Sequence, residues 1–212
     1  MSNIYRHADK AIKRLFAEME REFQNTSVIL RFDELNILSA RSQVDALYKR
    51  LDALCKEQYE EVAEESYSDA KQEIGAKIGK RRKPMSGFVN TMLMSYNPLT
   101  KYSYKNEWRR KRDRLVESLV SSRNRLEMRQ SLRRALTLLE NQVRQYADIM
   151  TDEARLNAFV DEGEDRFRWN TQHDGRVCET CNERDGEVFK LADIPTKHYR
   201  CRCYLTPVAE GE

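Results

Sequence analysis

The residues best suited to chemistry lie together near the end of the chain. Cys178-x2-Cys181 is followed, after sixteen residues, by His198-x2-Cys201-x-Cys203. Zinc builds a closed tetrahedron from two short-range pairs of nitrogen or sulfur donors held on separate turns, and Cys-x2-Cys is the usual first pair. The second pair is either His198 with Cys201 or Cys201 with Cys203, so the sequence offers five donors for about four places. A site that closes on protein ligands leaves no position for water, so the expected cofactor is a structural Zn2+ rather than a catalytic one. Lys197, Arg176, Arg200 and Arg202 stand beside the donors, where their charge offsets that of the thiolates and favours deprotonation. If His198 is not a ligand, it can hydrogen-bond a thiolate from outside the coordination sphere. The competing readings are two disulfides or unpaired buried thiols. The opening MSNIYRHADK lacks the apolar stretch of a secretion signal, and disulfides are disfavoured without one. A fifth cysteine, Cys55, falls on an apolar helical stripe and reads as core.

The distribution of Gly and Pro outlines the elements that must position these donors. Residues 1–74 and 99–162 contain neither; Gly75, Gly79, Pro84, Gly87 and Pro98 fall between, and the other six follow residue 162. In the first block Val44, Leu47, Leu51, Leu54, Cys55, Tyr59, Val62, Ala63, Tyr67, Ala70 and Ile74 recur at spacings of three and four, which predicts one amphipathic helix over about 39–74. A shorter helix over about 4–23 precedes it, with Ile12, Leu15, Phe16, Met19 and Phe23 inward. Trp108, Leu115, Leu119 and Val120 share one face of a third helix, and Leu126, Leu132, Leu136, Leu139, Val143 and Tyr146 one face of a fourth. Thr151, with Asp152 and Glu153 behind it, reads as the cap of a further helix. Past residue 165, Phe167, Trp169, Val177, Val188, Phe189, Tyr204 and Leu205 lie in short runs broken by Gly and Pro, the pattern of short strands and tight turns. The expected fold is mainly α, with long amphipathic helices followed by a small C-terminal α+β zinc-binding module. The segments are 1–98 with a basic hinge at 75–98, a central helical region over 99–165, and the Cys/His module over 166–212.

The 212 residues carry a net charge of +3 and are 34% charged, with a mean hydropathy of −0.83. No stretch approaches the ~18 apolar residues of a membrane span. Charge is informative only locally. Residues 101–134 hold twelve Lys or Arg against four acids. Arg109, Arg110, Lys111, Arg112 and Arg114 are the densest part and are candidate contacts for double-stranded DNA or a protein partner. Such binding tracks phosphates without reading sequence and weakens with salt. The competing reading is a solvated face, or one paired with the acidic helix face over 52–73. An enzyme is not expected. There is no glycine-rich phosphate loop or nucleophile elbow, and His173-Asp174 lacks the second ligand cluster of an open metal site.

The string Trp169-x4-Asp174-x-Arg176-Val177-Cys178-x2-Cys181-x4-Gly186-x-Val188-Phe189, continued by Pro195-x2-His198-x2-Cys201-Arg202-Cys203 and Pro207, resembles the phage head morphogenesis family, the Mu F-like minor head proteins of tailed phages and prophages. Gln145–Ile149, Thr151–Ala154 and Tyr104–Glu107 extend the resemblance to about residues 100–208. It implies a structural component of the virion or procapsid, present in few copies at the portal vertex or head interior and assembled in the bacterial cytoplasm. The implied partners are portal and capsid proteins, and some members contact packaged DNA. The residues carried over are Cys178, Cys181, His198, Cys201 and Cys203, with Trp169, Asp174, Gly186 and Arg202 as supports of the module. The family's Arg-Thr-Glu-like triplet is matched only by Thr151-Asp152-Glu153, without the Arg. Family domains fused to toxins have no counterpart expected after residue 212. The alternative reading is a zinc-stabilised nucleic-acid-binding accessory or regulatory protein.

Overall fold

A computed structural model of the chain describes residues 4–76, 84–173, 177–198, 201 and 203–208. Three long helices set the architecture: α1 (Arg6–Ile29), α2 (Ile37–Glu73) and α5 (Arg125–Val160). The 37 residues of α2 span about 55 Å at ~1.5 Å per residue. It begins where the Asn36 side chain accepts the N–H groups of Leu38 and Ser39, each at 3.0 Å, and the Ser39 hydroxyl accepts the Asn36 N–H in return. This reciprocal cap satisfies donors that a helix start leaves open. The helix is unbroken across its middle and stops before Gly75, whose φ of 69° suits a residue without Cβ. The short α3 (Ser86–Met94) leads to α4 (Tyr104–Val120). Ser103 caps α4 and Asn124 caps α5, so α4 and α5 form a hairpin.

The predicted stripe of α2 is its buried face: Val44, Leu47, Leu51, Cys55, Tyr59 and Val62 are all 1% exposed or less. It packs on α1, α4 and α5 in one continuous core. Truncating a core Leu such as Leu51 or Leu139 to Ala would cost about 2–5 kcal/mol. A layer of rings crosses the middle of the bundle, with Tyr104 against Tyr146 at 4.9 Å and against Trp108 at 5.1 Å between centroids. Between α1 and α2, Arg6–Asp69, Arg14–Glu61 and Arg50–Glu22 pair at 2.6–2.9 Å. Exposed pairs of this kind are worth under ~1 kcal/mol each. Apolar burial therefore holds the helices together, and these pairs account for part of the acidic face of α2. Among the described residues, no helix is long and apolar enough to cross a membrane.

Three expectations need correction. Thr151 caps nothing: α5 runs through it, and its hydroxyl donates back to the Ala147 carbonyl at 3.2 Å, an i−4 bond open to a mid-helix threonine. The first helix ends at Ile29 rather than near residue 23. Leu126 and Val120, read as inward, are 65% and 41% exposed. Both flank the turn that joins α4 to α5 and face away from the core, whereas Leu119 and Met128 beside them are buried in it.

The C-terminal region is a small antiparallel sheet. β1 (Arg166–Asn170) lies between β2 (Val188–Lys190) and β3 (Tyr204–Pro207), with the one-turn α6 (Glu179–Glu183) between β1 and β2. Phe167 faces Phe189 and Pro207 across the sheet, and Trp169 faces Leu205. Period-2 alternation puts Phe167 and Trp169 on one buried face of β1. Phe167 closes the helical core against Phe159, while Trp169 roofs a second cluster made with Cys181, Cys201 and Cys203. One strand thus welds the module to the bundle. Val177 lies outside any strand and packs against the second cluster.

Candidate metal centre

Cys178 stands at the N-cap of α6 and Cys181 one turn later. A helix start suits this pair, because it leaves backbone N–H groups without partners inside the helix on the side of the first sulfur. The N–H of Cys181 is the largest influence drawing the Cys178 thiol below its ordinary range, and His198 adds to it. The second group arrives on the chain leading into β3. The Cys201 N–H donates to the His198 carbonyl at 3.1 Å, a turn that brings both side chains to one side, and Cys203 follows immediately before the strand.

The donor atoms converge as two overlapping triads, Cys178–Cys181–His198 and Cys181–Cys201–Cys203, each within 4.8 Å. His198 Nε2 lies 3.2 Å from Cys178 Sγ and 3.1 Å from Cys181 Sγ, and Cys181 Sγ lies 3.6 Å from Cys201 Sγ. A zinc tetrahedron with Zn–S near 2.3 Å and Zn–N near 2.0 Å has S···S edges of about 3.8 Å and S···N edges of about 3.5 Å. The cluster is therefore close to the size of a metal polyhedron, and it could hold a metal ion. Cys181 belongs to both triads and so joins the two halves of the cluster.

The electrostatics agree with the geometry. Cys203, as its hydrogen-bond partner, holds the Cys201 thiol down to about 5, and Lys197 adds to the effect. Burial pushes the Cys181 thiol up to about 12. The proton shared with Cys201, together with burial, raises Cys203. Left to themselves, the sulfurs divide into thiolates and thiols, because adjacent negative charges cannot all be accommodated. A divalent cation held by these residues would remove that conflict and favour the deprotonated set.

Contacts between the module and the helices join Asp152 and Lys197 to Tyr5, which the sequence did not single out. The Tyr5 hydroxyl reaches Asp152 Oδ1 at 2.9 Å and the Cys203 carbonyl at 3.0 Å. Lys197 Nζ pairs with Asp152 Oδ2 at 2.8 Å. Asp152 therefore clamps the first turn of α1 and both sides of the donor loop onto α5. Gly186 adopts φ 83° in the β1–β2 connection, and its N–H donates to the Trp169 carbonyl. Trp169 is fully buried, edge-on to Phe189, with the Arg184 guanidinium 5.7 Å from its ring. Asp174, Arg176, Arg200 and Arg202 lie outside the described residues. The turn leading toward them is tied instead by Asp185, which accepts the Thr171 N–H at 2.7 Å and lies 3.5 Å from His173.

The basic run is divided by its helix. Lys111 turns inward to Gln142 Oε1 at 2.7 Å, and Arg112 pairs with Asp113 at 2.9 Å and Asp45 at 3.3 Å. Arg109, Arg110 and Arg114 remain exposed, with Arg110 stacked 4.2 Å over the Tyr102 ring. The basic hinge residues Lys77, Lys80, Arg81, Arg82 and Lys83 lie outside the described residues.

Residues 109–206 match a family model described as Phage Mu protein F like protein. The match runs from α4 to β3 and takes in the whole donor cluster, consistent with a Mu F-like phage head morphogenesis protein. No curated protein and no solved structure matches the chain.

Proposed function

We propose that the protein is a minor head protein that joins the portal vertex or procapsid during head assembly and acts by binding rather than by catalysis. The observation that carries this reading is the coincidence of the family match, residues 109–206, with the Cys/His donor cluster. The metal would be a structural Zn2+ held by four of Cys178, Cys181, His198, Cys201 and Cys203. Bound there, zinc would supply cross-linking of the donor loops. The chain's own residues do the rest: Trp169 and Phe167 anchor the sheet in two cores, and Tyr5, Asp152 and Lys197 fasten the module to the helices. The result is a rigid surface at one part of a long helical body, suited to docking in few copies on a symmetric ring. On this reading the protein resides in the bacterial cytoplasm during assembly and in the virion afterwards.

Co-expression with the portal and capsid proteins encoded alongside it tests this reading. The expected result is retention on portal or procapsid assemblies through size-exclusion chromatography. Assemblies that form normally and never retain it would overturn the reading.

The exposed Arg109, Arg110 and Arg114 favour a second reading, compatible with the first, in which α4 contacts packaged double-stranded DNA without sequence preference.

A further inference from the structure

The α5 side of the module forms one wall of a cleft of about 470 Å3, within the ~300–1,000 Å3 range of ligand sites. Ile149 and Leu156 of α5 form its base, Tyr96 and Leu99 of the segment after α3 one wall, and Leu191 and Ile194 of the module the other. Four charged residues line it. Asp152 is engaged by Lys197 and Tyr5, and Arg155 is buried and paired with Glu73 at 2.6 Å. Glu153 is the remaining one. It is open to the cleft and, among the described residues, makes no hydrogen bond or ion pair. The surrounding protein raises its carboxyl, and the neighbouring Asp152 raises it further. Lys197 offsets part of this from a distance, but it pairs with Asp152 and not with Glu153.

A further feature defines the occupant. The apolar lining also continues onto the outer surface: Tyr96, Leu99 and Leu191 are 65%, 42% and 43% exposed. A small amine would leave those side chains in water, whereas a polypeptide segment would cover them.

We propose that this cleft is a docking site for a segment of a partner protein that carries a Lys or Arg flanked by apolar side chains, with Glu153 receiving the cation. The proposal does not depend on the head-assembly reading, because the recognition chemistry belongs to the cleft whatever particle the protein joins. Full-length, zinc-loaded protein is used to select from a random twelve-residue peptide library displayed on mRNA. The enriched peptides are then measured by fluorescence anisotropy. The expected consensus is a Lys or Arg within about four positions of Leu, Ile, Met or an aromatic residue. Glu153→Gln should weaken these peptides by about tenfold. Tyr96→Ala should weaken them too, and it removes an exposed side chain with no part in the core. An acidic or uncharged consensus, free arginine amide binding as well as the peptides, unchanged affinity in Glu153→Gln, or no enrichment would each overturn the proposal. None of these results bears on whether the protein is retained on portal assemblies, so the two readings fail separately.

Discussion

Replacing Tyr5 with Phe isolates the clamp between the helices and the donor loop. Tyr5 is 4% exposed, and the substitution keeps the ring, so no cavity opens. Burial and Asp152 hold the phenol well above its ordinary pKa of 10.0, so it is a donor at every working pH. Its loss leaves Asp152 Oδ1 and the Cys203 carbonyl without the hydroxyl that reaches both at 2.9 and 3.0 Å. Hydrogen bonds to charged acceptors contribute about 1.5–3 kcal/mol. Asp152 retains Lys197, so the lower end, about 1.5–2 kcal/mol, is expected. For a chain of this size each kcal/mol is worth roughly 2–4 °C in Tm, which predicts a fall of about 3–8 °C in a thermal melt. Because Cys203 adjoins the donor cluster, release of bound zinc to a chelator should also accelerate. A double-mutant cycle with Asp152→Asn should show coupling above ~0.5 kcal/mol. A Tm within 1 °C of wild type, with unchanged metal release, would refute the idea that Tyr5 fastens the module.

Cys181→Ser should abolish stoichiometric zinc in purified protein, since Cys181 belongs to both donor triads. With five donors for about four places, one of His198→Ala and Cys203→Ser should retain the metal; elemental analysis of the three variants checks both statements. The Asp148 carboxyl is raised from 3.8 to about 7 by burial, then by Asp152 and Asp9, against Arg144 and Lys197. Between those values the native state binds more protons than the unfolded one, so wild-type stability is lost as pH rises through about 4–7. Asp148→Asn should therefore match wild type below pH 4 and exceed it by about 1–2 kcal/mol at pH 8 in urea melts; a constant or reversed difference would contradict this. If α4 meets DNA, the triple change of Arg109, Arg110 and Arg114 to Ala should weaken duplex binding and flatten its log–log salt dependence by up to about 3. Arg112→Ala should instead mainly lower stability.

The long helices were legible because apolar residues recur at helical spacing through stretches without Gly or Pro. The donor cluster was legible because its members lie close in sequence. Elsewhere the sequence misled for identifiable reasons. Thr151-Asp152-Glu153 has the composition of a helix start, yet no Gly or Pro interrupts the chain there, and the threonine bonds back to Ala147. Lys111 and Arg112 looked like members of a charged face. They stand between Trp108 and Leu115, on the side that turns toward Gln142 and Asp45, and that helical phase was the signal that could have separated them from Arg109, Arg110 and Arg114. The Tyr5 clamp was out of reach. Its partners lie 147 and 198 residues away, and a lone tyrosine before a helix carries no mark of them. The cleft around Glu153 was hidden for the same reason, being assembled from three separated segments.

Quantitative mass spectrometry of gradient-purified procapsids and mature heads, made by the phage or prophage that encodes the chain, tests head assembly most directly. This protein should be found beside portal and capsid proteins, at a copy number far below that of the major capsid protein. Its absence from both particles, in lysates where it is abundant, would rule out a role as a head component.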